Sequence, residues 1–89
     1  MSITHEKSLC QFIYQVDGHS QGKLAYRYIS VNKIDAYSTQ VKPEFRGKGI
    51  AGELYNALID FAKQQQLKIK PSCSYIEKRM ERNNQDLIA

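Results

Sequence analysis

Two cysteines, Cys10 and Cys73, are all the sulfhydryl chemistry this chain offers. That is too few for a disulfide framework, and no C-x-x-C spacing points to a structural metal. His5 and His19 are the only histidines available to complete a ligand set, so no metal site is expected. Long apolar runs are missing too. No stretch approaches the roughly 18 apolar residues of a membrane span, and the N-terminus has no signal-peptide core. No block of like charges marks a nucleic-acid arm, although 13 Lys and Arg against 9 Asp and Glu leave a net charge of +4. Repeats, low-complexity tracts and linkers are also absent. These absences predict one small domain over residues 1–89, cytoplasmic, with reduced thiols and no membrane partner.

What is present has a clear order. Residues 1–7 are polar and are read as a loose terminus. Leu9 to Val16 reads as a strand, and Asp17 to Gly22 as a turn cluster returning it as a hairpin. Leu24 to Val31 is the second strand, with Leu24, Tyr26 and Tyr28 on one face. Asn32-Lys33 turns the chain into a third strand, Ile34 to Val41, stopped by Pro43. A helix over about Gly47 to Gln65 follows, its stripe made by Ile50, Leu54, Ala57, Leu58 and Phe61. Leu67 to Lys70 reads as a short fourth strand. Ser74 and Glu77 have the spacing of a capping box, which predicts a last helix. The fold class is α+β in the order β-β-β-α-β-α. It is an antiparallel meander whose crossover helix returns a fourth strand parallel to the third.

The most telling stretch is Arg46-Gly47-Lys48-Gly49-Ile50-Ala51, where a strand hands over to the amphipathic helix. The first N–H groups of a helix lack intrahelical partners, and the helix dipole adds partial positive charge there. Glycines permit a ligand to approach the backbone, and Arg46 and Lys48 add full charges. The product is an anion cradle suited to phosphate or pyrophosphate.

In this setting the chain resembles the GCN5-related N-acetyltransferases, whose acetyl-CoA signature is Gln/Arg-x-x-Gly-x-Gly/Ala. Arg46, Gly49 and Ala51 satisfy it. The wider run Val41 to Ala51, with the later Pro71-Ser72-Cys73-Ser74-Tyr75, resembles the small single-domain members of that superfamily. The resemblance spans roughly residues 9–83. It implies that Val41 and Lys42 offer backbone groups to the pantetheine arm of acetyl-CoA or CoA. It also implies that Arg46, Gly47, Lys48, Gly49, Ile50 and Ala51 hold the pyrophosphate. The splay between the third and fourth strands would admit the thioester. The chain lacks the helix pair after the first strand, and nothing supplies the final strands that shape the acceptor pocket in full-length members. The acceptor is therefore an unidentified amine.

Cys73 is the candidate at the thioester, as acetyl acceptor or proton donor to the CoA thiolate, against the plainer alternative of a small packed residue. Tyr75 offers a phenol that could protonate the departing sulfur. Asp35, Thr39 and Glu44 fall near the expected cleft. Glu44 is read as a solvated loop charge and Thr39 as strand lining. His19 is read as an exposed turn residue and Cys10 as structural. Two other functions compete with transfer to an amine: a CoA-binding module without efficient turnover, and nucleic-acid binding through Lys78, Arg79 and Arg82. No nucleic-acid motif accompanies those charges, and a solvated helix face explains them. Oligomeric state is not fixed by composition.

Overall fold

A computed structural model describes residues 2–89. Five strands form one sheet in sequential order: β1 (Ser2–Glu6), β2 (Gln11–Val16), β3 (His19–Ser30), β4 (Lys33–Val41) and β5 (Lys68–Pro71). Helix α1 (Ile50–Gln65) crosses from β4 to β5, and α2 (Ser74–Asn83) follows β5. The first four strands pair antiparallel, and β5 lies parallel to β4. This is the expected α+β meander and crossover, with one further strand in front.

That further strand is a correction to the reading of residues 1–7 as loose. Ser2 to Glu6 pairs with Gln11 to Gln15, and His5 stacks on Phe12 with ring centroids 4.1 Å apart. Histidine counted as polar hides the alternation of Ile3 and His5. Leu9 falls outside β2, in a 3-10 turn that leaves it 64% exposed. Cys10 closes that turn with φ of 54°, so it precedes the strand assigned to it.

The hairpin loop is shorter than the cluster Asp17 to Gly22 suggests. Asp17 and Gly18 alone form it, with φ of 51° and 79°, the two left-handed residues that a two-residue hairpin favours. His19 to Gly22 belong to β3. Gly22 has a packing role: a Cβ there would lie 2.9 Å from Ile50 Cγ2. Its bareness lets α1 settle on the sheet.

Leu24, Tyr26, Ile34 and Ala36 on the sheet meet Ile50, Leu54, Leu58, Phe61 and Ala62 of α1. Ile69, Ile76 and Met80 extend that core under α2. Helix α1 begins at Ile50, three residues after the expected start, because Gly47 and Gly49 hold φ of 79° and break the helical path. Helix α2 starts at Ser74 as expected, but the capping box does not form. Cys73 occupies the cap position without capping the helix by its side chain, and its carbonyl accepts from the Glu77 N–H at 2.9 Å.

A bulge in β4 decides which face the far half of that strand presents to the core. Ala25 opposes Ser38 while Tyr26 opposes Ala36, so Tyr37 is an extra residue in β4. Residues directly opposite in an antiparallel pair share a face. Ala36 thus shares the face of Tyr26, and Thr39 and Val41 share the faces of Leu24 and Gly22. The bulge brings residues three apart to one side, where plain alternation would have separated them.

Candidate functional site

A cavity of about 340 Å³ opens between the end of β4, the start of α1 and the first turns of α2. That volume lies within the range of small-molecule sites. Thr39 and Val41 line it from β4, and Phe45 from the 3-10 turn at Pro43–Phe45. Arg46, Gly47, Gly49, Ile50, Ala51 and Gly52 line it from the loop and helix start, and Tyr75 and Arg79 from α2.

Gly49 takes the cap position of α1 in the left-handed region, and no side chain caps the helix. The Glu53 N–H returns to the Gly49 carbonyl at 3.1 Å. The preceding N–H groups, those of Ile50, Ala51 and Gly52, are therefore ones that helix geometry leaves without intrahelical partners. Arg46 is fixed across the loop by its Nε donating to the Val41 carbonyl at 3.3 Å. A helix start, its dipole and a guanidinium thus converge on one wall of the cavity.

The opposite boundary is a fork in the sheet. The β4–β5 ladder runs from Lys33/Lys68 to Ala36/Pro71 and ends there, while β4 continues to Val41. The Cys73 N–H donates to the Ala36 carbonyl at 3.0 Å, the last bond before the chains part. Its Sγ lies 3.7 Å from Thr39 Oγ1, so the half-buried thiol borders the cavity through Thr39.

Tyr75 and Arg79, one helical turn apart, act as a pair. Arg79 Nη1 donates to Tyr75 Oη at 3.1 Å, and the guanidinium carbon lies 4.8 Å from the Tyr55 ring centre. Tyr55 is buried, and its hydroxyl donates to Asn84 Oδ1. Burial raises its phenol above the ordinary range, Arg79 opposing that rise and Tyr75 adding to it.

The expected cofactor residues therefore divide. Val41, Arg46, Gly47, Gly49, Ile50 and Ala51 line one cavity; Lys42 and Lys48 do not. Lys42 lines a separate hollow with Ser20 to Lys23, and its N–H is spent on the Gln21 carbonyl at 2.9 Å. Lys48 sits 5.2 Å over the Phe45 ring, in a hollow it shares with Glu53. Asp35 is buried and bound to Arg27, with Nη2 to Oδ2 at 3.1 Å. Burial pushes its carboxyl up, but Ser72 and Arg27 outweigh this and hold it below the usual range. It lies outside the cavity. Glu44 and His19 are exposed, in keeping with their reading as solvated.

Sequence reasoning misses Gly52, Phe45 and Arg79. The sequence groups Arg79 with Lys78 and Arg82, which are exposed, whereas Arg79 turns inward. The signal is its spacing: Ile76 and Met80 are buried, and a residue three beyond Ile76 lies beside that face. The split leaves no continuous basic patch from these three residues.

Known proteins provide the comparison. A family model described as GCN5-related N-acetyl-transferase matches residues 11–87. Protein NATD1 of Xenopus tropicalis is 34% identical over 82 residues, covering 91% of this chain and 75% of that protein. The solution structure of a GCN5-like protein from Staphylococcus aureus superposes with a TM-score of 0.77 at 25% identity, over 99% of this chain and 87% of that one. A GNAT family acetyltransferase from Elizabethkingia anophelis, solved with acetyl-CoA bound, gives a TM-score of 0.62 at 17% identity. It is covered over 50% of its length, against 81% of this chain, and speaks for the fold alone.

Proposed function

The chain belongs to the GCN5-related N-acetyltransferase family, and on that premise we propose that it binds acetyl-CoA in the β4–α1–α2 cavity and transfers the acetyl group to an amine. One observation carries the reading. The uncapped start of α1, flanked by Arg46, and Thr39 at the sheet fork, which Cys73 touches from outside the lining, open on the same cavity. The first suits a pyrophosphate and the second a thioester. Pantetheine would run between them along Val41 and Thr39.

In the direct reaction the amine nitrogen attacks the thioester carbonyl carbon and the carbon–sulfur bond breaks. CoA leaves as a thiolate that takes up a proton, and the nitrogen sheds one. Tyr75 is a candidate donor of that proton: its oxygen accepts from Arg79, so its own O–H is free to donate. Cys73 is the candidate at the thioester. In a two-step route its sulfur would take the acetyl group, releasing CoA, and pass it to the amine. Pro71-Ser72-Cys73-Ser74-Tyr75 supports counting the chain among the small single-domain members. The continuous core supports residues 1–89 as one domain, and two free thiols suit the cytoplasm.

A second reading, a CoA-binding module without efficient turnover, is favoured by the cavity lining. Among the described residues neither a carboxylate nor an imidazole lines the cavity, so its wall offers no ready base for the amine. Calorimetric titration with acetyl-CoA, with CoA and ATP as controls, tests the shared premise. Saturable binding stronger than that of ATP is expected; no binding by the folded protein would end both readings. An amine panel then separates them, with Cys73→Ala deciding between direct and two-step transfer.

A further inference from the structure

We propose that Arg79 is a phosphate-binding arm of this site, reaching from α2 to the start of α1 and making CoA recognition depend on its phosphates. The inference rests on the cofactor reading above. The sequence puts Arg79 on a solvated face, but it lines the cavity. A Cβ added at Gly52 would lie 3.4 Å from Nη1 and 3.9 Å from Nη2. Gly52 thus keeps its place in the first turn of α1 bare, and the guanidinium lies against that turn. Both Nη atoms stand against Gly52, in the turn whose N–H groups the helix leaves unpaired.

The electrostatic surroundings of Arg79 are incomplete. Among the described residues it has no carboxylate within ion-pair distance, and its Nε is buried without a hydrogen-bond partner. Only the Tyr75 hydroxyl and the faces of Tyr55 and Tyr75 attend it. Burying the Nε of a guanidinium without a partner is costly, and a bound anion offsets that cost. Tyr55 fixes the plane of the group, and a planar fork of donors matches two phosphate oxygens at once. The ligand chemistry is therefore an oxyanion held between Arg79 and the N–H groups of α1. In a CoA thioester that oxyanion is the pyrophosphate. Lys42 and Lys48, facing other hollows, leave this task to Arg46 and Arg79.

The test compares acetyl-CoA with S-acetylpantetheine, which carries the same thioester and no phosphate, by calorimetry on the full chain. Arg79→Met is expected to weaken acetyl-CoA at least about tenfold, in line with the loss of a charge-assisted bidentate contact. S-acetylpantetheine is expected to bind both proteins alike, and Arg79→Lys to recover part of the loss. Should Arg79→Met fail to fold, Arg79→Gln keeps a polar group, removes the charge and reads the same ratio. Equal weakening of both ligands would assign Arg79 to packing and overturn the inference. Unchanged acetyl-CoA binding would overturn it alone, leaving the cofactor reading standing. Failure of the unmodified protein to bind acetyl-CoA would overturn both.

Discussion

The two ends of α1 are built to opposite plans. At its C-terminal end the chain satisfies itself. Gln66 takes the left-handed cap, the Leu67 N–H donates to the Ala62 carbonyl at 2.8 Å, and that of Gln66 to Lys63 at 3.3 Å. Close by, Phe61 meets the edge of His5 at 4.5 Å and packs with Phe12 and Tyr26 in a filled aromatic cluster. At the N-terminal end no side chain caps the helix, glycine stands at positions 47, 49 and 52, and a cavity remains. A helix terminus costs free energy when its backbone groups are unmet. The end finished by the protein stabilises the fold; the unfinished end is where we propose that a ligand is accommodated.

Substitutions at each end should separate stability from binding. The largest effect is expected of Phe61→Ala, a loss of about 3–5 kcal/mol by denaturant unfolding. Acetyl-CoA affinity should be nearly unchanged where the protein remains folded. A large loss of affinity would show that the two ends are not independent. Gly22→Val joins the regions, since its side chain must displace Ile50 or lift α1. A destabilisation of about 1–3 kcal/mol is expected together with weaker binding. Gly49→Trp should cost about 1–2 kcal/mol, because φ of 79° suits no other side chain well, and should abolish binding by covering the helix start. Binding retained by the folded variant would remove the cradle from the site.

The smallest effect is expected from acid. Burial in the cluster, and then Lys7, lowers His5 below its ordinary 6.5, while Tyr26 Oη lies 2.6 Å from its Nε2. Burial raises the Tyr26 phenol, so Tyr26 keeps its proton and shares a hydrogen bond with a neutral imidazole, the tautomer setting its direction. The unfolded chain binds a proton more readily at His5 than the folded one does. Stability from this source is full above pH about 6.5 and declines as pH falls toward the lower folded value. Thermal unfolding across that window should show the decline, and His5→Phe should flatten it.

The difference between the ends also explains what could be read from sequence. Arg46 to Ala51 were legible because helix starts and glycines carry local signals, and the stripe through Ile50, Leu54, Leu58 and Phe61 announced the packed face. The splay between β4 and β5 was implied by the family resemblance, and the short strand closed by Pro71 is in keeping with it. What escaped depends on distant partners. β1 becomes a strand only by pairing with β2, and Lys42 and Lys48 took other hollows although their charges fitted the cradle. Arg79 could be placed only once α2 was known to lie beside Gly52.

The extra residue in β4 makes the site a question of phase. Ile34 and Ala36 keep one beat along the strand, Thr39 and Val41 another, and Tyr37 is the skipped count between them. Deleting Tyr37 would remove this bulge without removing any core side chain, since Tyr37 is 45% exposed. Thr39 and Val41 would still oppose Leu24 and Gly22, because Thr39 would then stand two positions after Ala36 and share its face by plain alternation. The expected product is a folded protein that keeps the cavity's side chains in phase and still binds acetyl-CoA; loss of binding by the folded variant would show that the bulge itself shapes the site.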